Sequence, residues 1–276
     1  TCFGKNTDDK IFEIAIMLHS ADLEKGITLA RQSNDEEVLR NIKRQNIKLS
    51  TYENLQKRFN QFNVPVYSEL ILGLPGENFA SWTRGIEAML ESGLANQLFI
   101  YLCEVFPNTE MADPEYQRQF GIKTKRISLT EIHGSIHKEE LVREYEDIIV
   151  QTNNMPLAEW RRMAVFSWWI MTLHSLKLGF FVMIYLKDRF GIKYTDFISY
   201  ISDDRMPEGA AAILRSELGH FRRQTDRLLE GYGRGHEMAE YGPIYWDEEE
   251  VSFLRISERL DEFYEEMKQV VAALLT

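Results

Sequence analysis

The sequence is poor in cysteine, with only Cys2 and Cys103 among its 276 residues. So few thiols exclude a disulfide-stapled scaffold. They also exclude a zinc or iron–sulfur site whose cysteine ligands all come from these residues. Such a count fits a reducing compartment, and we expect a cytoplasmic protein. The chain starts at Thr1 rather than at Met, which we interpret as the start of a fragment of a longer protein.

Basic residues are also scarce. There are 32 Lys and Arg against 43 Asp and Glu, which gives a formal net charge of -11. Nucleic-acid binding needs a basic surface, so the sequence disfavours nucleic acid as a partner. Apolar residues make up 44% and charged residues 27% of the chain, which is typical of a globular protein.

No uninterrupted apolar run is long enough to cross a bilayer. Residues 163–186 come closest, but His174, Lys177 and Gly179 interrupt them. A central Lys costs about 2.5–3.5 kcal/mol on insertion scales. We therefore predict no membrane span and instead two buried helices with a bend near Gly179. The aromatic residues of this segment would then lie in the core or at an oligomer contact; they are Trp168, Trp169, Phe180 and Phe181.

The first part of the chain alternates apolar runs with helical periods, which predicts an α/β fold. The strands are expected at 27–30, 66–72 and 98–105, and the helices at 8–19, at 34–44, after Ser50 and at 78–92. The expected N-caps are Thr7, Asn34, Ser50 and Asn78. This order implies parallel strands joined by right-handed crossovers, and runs such as ELILG fit strands buried on both faces.

The second part is mainly helical, so the fold class is α/β followed by all-α. We place the boundary at residue 125 and expect two domains, 1–125 and 126–276. Helical periods cover 156–190, 194–203, 207–230 and 247–275, and 142–152 reads as one further strand. The acidic stretch 247–268 is interpreted as a solvated face, with a partner-binding helix as the alternative.

Polar residues follow all three expected strands. Ligands of parallel α/β folds bind beyond the carboxyl ends of the strands. Strand alternation places Glu69, Ile71 and Gly73 on one face of the expected sheet. If that face points inward, the carboxylate of Glu69 needs a polar partner or a ligand. A flat ring could approach the backbone at Gly73. The alternative is that the GLPGE sequence is only a tight turn.

Three segments together resemble radical S-adenosylmethionine enzymes of the B12-binding branch, which include the anaerobic magnesium-protoporphyrin monomethyl ester cyclase-like proteins. They are GITLARQSNDEEVLRNIKR (26–44), VYSELILGLPGENFASW (66–82) and IYLCEVFPNTEM (100–111). They are similar in order and spacing to the fourth, fifth and sixth strands of that family's partial (β/α) barrel. The resemblance covers residues 1–125 well and the helical remainder weakly.

The resemblance implies a 4Fe-4S cluster held by a CxxxCxxC loop, which this sequence lacks. The cluster ligands and the first strands are therefore expected upstream, with a cobalamin-binding domain further upstream, and the fragment alone should be inactive. The parent would cleave S-adenosylmethionine to a 5'-deoxyadenosyl radical and modify an unknown small molecule. No catalytic or metal-ligating residue is assigned to these 276 residues. The helical part is expected to cover the barrel mouth.

The resemblance also implies which residues bind S-adenosylmethionine. Gln32 matches the family's Gln at the end of the fourth strand, Ser33 follows it, and Arg44 lies twelve residues later. Glu69 would face the cofactor's polar groups. The remaining positions would contact adenine; they are Ile71, Gly73, Leu102, Cys103 and Glu104. Arg44 could instead pair with nearby acidic residues.

The sequence supports three further expectations, on its histidines, on oligomer formation and on a rival function. His133 and His137 have metal-ligand spacing but are interpreted as surface histidines, and His174 as a core histidine. An exposed barrel edge, or the aromatic helices, is expected to support homo-oligomer formation. The rival function is a non-catalytic module that binds a small ligand or a protein and has a helical dimerisation region.

Overall fold

The computed structural model describes residues 9–136 and 142–276. Cys2, Thr7 and His137 lie outside these residues. The strands are β1 (Ile27–Gln32), β2 (Val66–Leu72), β3 (Leu98–Leu102), β4 (Lys123–Ser128), β5 (Tyr145–Gln151), β6 (His236–Glu237) and β7 (Tyr245–Trp246). The helices of the first part are α1 (Asp9–Ser20), α2 (Glu36–Asn41), α3 (Leu49–Gln61), α4 (Phe79–Glu91) and α5 (Pro114–Phe120). Those of the second part are α6 (Leu157–Ile170), α7 (Phe180–Phe190), α8 (Tyr194–Ser202), α9 (Ala212–Glu230), α10 (Glu248–Ser257) and α11 (Leu260–Leu274).

Strands β1, β2 and β3 form one parallel sheet in that order. The mixed α/β architecture is therefore confirmed, and these strands form a three-stranded sheet; the half-barrel remains a prediction. The sheet continues beyond β3, because Glu104 pairs with Ile148 of β5 in an antiparallel bridge. Strand β5 pairs in turn with β4. The expected strand at 142–152 is thus present, and its partner β4 is a strand that sequence reasoning missed.

One face of the parallel sheet is covered by helices. In β2 the side chains alternate strictly, with Val66, Ser68, Leu70 and Leu72 buried and the residues between them half-buried. On the covered side Tyr52 of α3 hydrogen-bonds Ser68. The amide of Ile100 in β3 contacts Sδ of Met171 at 3.4 Å, in a π-helical turn that follows α6. The expectation that the strands are buried on both faces is therefore wrong for the described residues.

Two predicted helix starts need correction. Asp35, not Asn34, caps α2 by accepting hydrogen bonds from the amides of Glu37 and Val38. The side chain of Asn34 is used elsewhere, between Arg31 and the carbonyl of Gly85. Helix α3 begins at Leu49 after Lys48, without the side-chain cap expected from Ser50. The cap at Asn78 is confirmed and forms a capping box with Ser81.

The second part packs helices against the covered face of the sheet. Nε1 of Trp82 in α4 donates to Oγ of Ser167 in α6 at 3.1 Å, and the amide of Leu98 donates to Ser175. The predicted break near Gly179 is confirmed, because α6 with its π-turn meets α7 at 93°. Trp168 and Trp169 are core residues, whereas Phe181 is 77% exposed.

No helix in the ranges 9–136 and 142–276 is both long and apolar enough to cross a membrane alone. The bent pair formed by residues 157–175 and α7 passes that test only when its two halves are counted together. The expected helix at 247–275 is two helices, since α10 ends at Ser257 and α11 begins at Leu260. The division into domains 1–125 and 126–276 remains a prediction.

Candidate functional site

The second face of the parallel sheet is open. It carries the half-buried side chains of β2 that alternate with the buried ones, among them Glu69 and Ile71, and the half-buried Gln32 ends the neighbouring strand β1. On β3 the exposed position is Tyr101. The structure therefore brings several of the predicted cofactor residues to one surface, at the carboxyl end of parallel strands where ligands of such folds bind.

Gln32 has an unusual backbone conformation. Its φ is +62°, and the amide of Ser33 donates to the carbonyl of Arg31 at 2.8 Å. This is a three-residue γ-turn, which is strained for a residue with a side chain. Nδ2 of Asn46 holds the turn by donating to the carbonyls of Arg31 and Ser33 at 2.9 and 2.8 Å. Strain of this kind is typical of functional positions.

Arg44 lies beside the same turn and is 7% exposed. Its Nη2 donates to the carbonyl of Ala30 at 2.8 Å, and its Nε to Oδ1 of Asn46 at 2.9 Å. Burial lowers the pKa of Arg44, and the charge of Glu69 opposes that shift. Burial likewise raises the pKa of Glu69, and Arg44 opposes it. Arg44 and Glu69 are thus near enough to act on each other: Glu69 is half-buried, and the cation of Arg44 is buried next to it.

Ser33 has a different role from the one that its position suggests. It is buried, and its hydroxyl donates to Oε2 of Glu77 at 2.8 Å. Glu77 closes the GLPGE sequence and also accepts from the hydroxyl of Ser81. Burial raises the pKa of Glu77 although both hydroxyls stabilise its charge. The GLPGE turn is therefore tied to the end of β1, and this bond fixes the strand on which Gln32 lies.

Gly73 is constrained by packing against protein. Its φ is +110°, and a Cβ there would lie 3.2 Å from the carbonyl oxygen of Ile149 and 3.3 Å from Cβ of Cys103. The space that a flat ring was expected to use beside Gly73 is thus filled on that side. Both backbone groups of Cys103 are engaged, by the carbonyl of Leu72 and the amide of Ile149. Leu102 lines a small cavity beside Trp168 of α6, so only its backbone is available to the open face.

A cavity of about 1140 Å³ adjoins the open face. Phe99 and Tyr101 of β3 line it, and so do Asp247 and Glu249 at the start of α10, whose charges act on Tyr101. We call it the β3–α10 cavity. Burial, and then the charges of Glu69, Asp247 and Glu249, raise the pKa of Tyr101 to about 12. Tyr101 therefore links the Glu69 surface to the cavity.

Arg234 joins the sheet to the second part of the chain. Its guanidinium lies 3.6 Å from Oε1 of Glu104 and 3.3 Å from Oε1 of Glu146. Burial raises the pKa of Glu146 to about 7, because Glu104 adds to the shift and Arg234 only partly offsets it. Glu104, predicted to contact adenine, is thus held in an ion pair.

Sequence reasoning missed the residues around this cavity. The stretch that starts at residue 247 was interpreted as a solvated face, and this is wrong for its first turn, where Glu248 and Glu249 are buried. The signal was present in the composition: three successive glutamates follow Asp247, directly after the Gly-rich stretch that contains Arg234. Charge patterning alone predicts exposure for such a run, because the sequence does not show what packs over it.

His133 and His174 lie where the sequence predicts, at the surface and in the core. Nε2 of His133 lies 2.8 Å from Oε2 of Glu250 in an exposed pair, and His137 lies outside the described residues. His174 is buried, and burial followed by the charge of Lys177 lowers its pKa to about 3. Within the described part of the chain no three His, Cys, Asp or Glu side chains are grouped to hold a metal ion.

The chain matches no protein-family model. It is similar to two characterised proteins over 99% of its own length. One is the cobalamin-dependent radical SAM methyltransferase TokK of Streptomyces tokunonensis, at 32% identity. The other is the 2-(S-pantetheinyl)-carbapenam-3-carboxylate methyltransferase of Streptantibioticus cattleyicolor, at 31% identity.

This chain is a homologue of cobalamin-dependent radical SAM enzymes. The resemblance to the B12-binding branch is thereby confirmed. The chain spans 41% of the length of each of these relatives. The first of these relatives is cobalamin-dependent by its name. S-adenosylmethionine, a 4Fe-4S cluster and cobalamin remain the groups that the sequence resemblance predicts for the parent.

The described residues fit these groups unequally. Gln32 and Glu69 offer an amide and a carboxylate, with the buried cation of Arg44 close to Glu69, and these groups suit the carboxylate, amine and hydroxyl groups of S-adenosylmethionine. Cys103 does not suit the cluster: it is buried, and burial raises the pKa of its thiol to about 12, whereas a metal ligand must be a thiolate. The structure gives no observation on cobalamin.

Proposed function

We propose that this chain is part of a cobalamin-dependent radical SAM methyltransferase and that it supplies one side of the S-adenosylmethionine site. The observation that carries the proposal is the similarity to two methyltransferases over 99% of the chain. The open sheet face supports it, since residues matched to the family's cofactor contacts lie there together. The cluster ligands and a cobalamin domain would come from outside these 276 residues.

The side chains of the open face would bind and orient the cofactor. S-adenosylmethionine, when bound, supplies the methyl group and the adenosyl moiety of the reaction. The amide of Gln32 would hydrogen-bond it, and the strained turn would keep that amide at the edge of the sheet. Arg44 would attract the carboxylate of the cofactor, and Glu69 would accept a hydrogen bond from its amine or its ribose.

The remaining residues would shape the surroundings of that site. Ile71 offers an apolar contact beside Glu69 on the same face. The bond between Ser33 and Glu77 would hold the end of β1 in register with the turn after β2. The second part of the chain would hold the methyl acceptor, because the β3–α10 cavity opens next to Tyr101. A small-molecule acceptor fits this volume.

Three expectations for the parent stand as proposals beside this function. The protein acts in the cytoplasm. It forms homo-oligomers, through the sheet edge at β1 or through the aromatic helices, where Phe181 and Tyr185 of α7 are exposed. These 276 residues are inactive without the 4Fe-4S cluster. Sedimentation of the parent tests homo-oligomer formation, because a monodisperse monomer would contradict it.

The central test is cofactor binding by the anaerobically reconstituted full-length protein. Gln32→Ala should weaken binding of S-adenosylmethionine by about tenfold, the value of one lost hydrogen bond to a polar ligand. Gln61→Ala, at the exposed end of α3, is the matched control and should leave the affinity unchanged. The wild type should transfer a labelled methyl group from S-adenosylmethionine and form 5'-deoxyadenosine.

Two results would reject the proposal. The first is a parent sequence without a CxxxCxxC motif. The second is equal cofactor affinity of wild type, Gln32→Ala and Glu69→Gln, which would move the cofactor away from this face.

A further inference from the structure

The most unusual group in the β3–α10 cavity is the carboxyl of Glu249. The residue is 9% exposed, and its Oε2 has no hydrogen-bond partner among the described residues. A buried carboxyl without a partner costs free energy, so such a group indicates a place where a ligand supplies the missing partner. The other acidic residues at this helix start already have partners. Asp247 accepts from the amide of Glu248. The carboxylate of Glu248 forms an ion pair with His236, and that of Glu250 pairs with His133.

The charge of the cavity favours a cation. Seven acidic residues line it against three arginines. One of those arginines, Arg234, is already held by Glu104 and Glu146. An anionic group near Glu249 would therefore meet uncompensated negative charge.

Two aromatic residues of β3 also line the cavity. The rings of Phe99 and Tyr101 are stacked, with centroids 6.2 Å apart and planes 12° from parallel. Tyr101 is 42% exposed, so its ring is accessible. A carboxyl facing aromatic rings is the combination that recognises an ammonium group, because the ring faces attract a cation and the carboxylate pairs with it.

We propose that the β3–α10 cavity binds a small molecule through a protonated amine, which pairs with the carboxylate of Glu249 and lies against the rings of Phe99 and Tyr101. The inference rests on the proposed function in one respect, since it takes this molecule to be the methyl acceptor. Tyr101 then separates the amine from the cofactor face at Glu69. A metal ion is a poorer occupant, because no group of three ligating side chains is found in the described ranges.

The protonation state of Glu249 agrees with this reading. Burial, and then the charge of Asp247, raise the pKa of Glu249 well above its ordinary value. The other titratable groups near it are Tyr101, Glu248, Glu250 and, beyond Asp247, Arg234. Burial therefore favours the protonated form of the carboxyl as long as no cation is present. An arriving ammonium group favours the ionised form, so amine binding should be linked to proton release.

The test is a calorimetric titration of the full-length protein with phenethylamine. Its neutral N-acetyl derivative and the anion 3-phenylpropionate are the comparison ligands. Phenethylamine should bind at least about tenfold more tightly than either, since a hydrogen bond to a charged group supplies that ratio. Titrations in two buffers of different ionisation enthalpy should show proton release for the amine alone. Equal binding of the amide or the anion would overturn the proposal.

Two variants and one control locate the site. Glu249→Gln, which keeps the shape of the side chain, should weaken amine binding about tenfold and abolish proton release. Glu208→Gln, at an exposed loop position that does not line the cavity, should leave the affinity within twofold. If Glu249→Gln fails to fold, Tyr101→Leu at its exposed position replaces it, with an expected loss of about fivefold. Full amine affinity in the folded variants would overturn the proposal.

S-adenosylmethionine binding in the same samples separates the two proposals. Cofactor binding without amine selectivity would reject only the amine site. Selective amine binding by a protein that neither binds S-adenosylmethionine nor transfers its methyl group would reject only the proposed function.

Discussion

Oγ of Ser33 donates a 2.8 Å hydrogen bond to Oε2 of Glu77, 44 residues further along the chain. The bond joins the end of β1 to the turn that follows β2. Both residues are buried, and Glu77 is 1% exposed. The bond therefore connects the two strand ends that carry the predicted cofactor residues.

Removing the Glu77 carboxyl should destabilise the protein. Glu77→Ala leaves the buried hydroxyl of Ser33 without its acceptor, while that of Ser81 keeps only the carbonyl of Asn78. We expect a cost of about 1–3 kcal/mol in the free energy of unfolding. Urea denaturation of the purified variants measures it. Glu208→Ala, at an exposed loop position, is the control and should change stability by less than about 0.5 kcal/mol. Equal stability of both variants would show that the bond has no structural value.

Gln32 should be a position where stability and cofactor binding oppose each other. Its φ of +62° is strained for any residue with a Cβ, so Gln32→Gly should stabilise the protein by about 0.5–1 kcal/mol. The same variant loses the amide and should bind S-adenosylmethionine more weakly. Ala30→Gly, two residues earlier on β1, should instead destabilise by about 0.5–1 kcal/mol. A Gln32→Gly protein that is less stable than wild type would contradict the strain.

Some elements could be predicted from the sequence because the local residue pattern there agrees with the contacts that the folded chain makes. The run Val66–Leu72 is apolar enough to predict β2 with its observed bounds. Asn78 has an amide free to cap α4. At Asn34 the local pattern and the tertiary contacts disagree. Asn is a good N-cap residue, but this side chain hydrogen-bonds Arg31 and the carbonyl of Gly85. Asp35 therefore caps α2 instead.

Other features depend on contacts that no local pattern contains. Strand β4, KTKRIS, has no apolar alternation, and pairing with β5 makes it a strand. Helix α3 starts at Leu49 although Ser50 and Glu53 suggest a capping box; the position of the helix is set by burial of Tyr52, Leu55 and Phe59. The cofactor residues could be proposed from the family's spacing. The acidic cavity could not, because it forms between strand β3 and a helix about 150 residues later.

Cys103 should be chemically inert in the folded protein. Burial raises the pKa of its thiol to about 12, so the reactive thiolate is almost absent at pH 8. Iodoacetamide labelling followed by peptide-resolved mass spectrometry should find Cys103 unmodified in native protein and modified after denaturation in urea. Fast native labelling would show that the end of β3 opens in solution. It would also weaken the assignment of the neighbouring backbone to the cofactor site.

Glu146 should make stability depend on pH. Its pKa is about 7 in the folded chain, against about 4.3 for an unfolded glutamate. Below pH 4 both states hold the proton, and Glu146 costs nothing. As the pH rises from 4.5 to 7 the unfolded state ionises first, so the wild type loses stability relative to Glu146→Gln. Above pH 7 the difference is constant. We expect about 1–2 kcal/mol, since solvent screens part of the shift.

Urea denaturation of wild type and Glu146→Gln at pH 5, 6, 7 and 8 measures this difference. Asp247 and Glu249 also have raised pKa values. Both residues are present in wild type and variant, so their effects cancel in the difference of the two unfolding free energies. Glu208→Gln, at an exposed position, should parallel the wild type at every pH. The partner test is Arg234→Gln, which removes the cation that lowers the pKa of Glu146 and should extend the titration above pH 7. If the curves of wild type and Glu146→Gln stay parallel from pH 5 to 8, Glu146 is ionised throughout. The charge of Arg234 then stabilises the ionised carboxylates of Glu104 and Glu146 more strongly than the distances indicate.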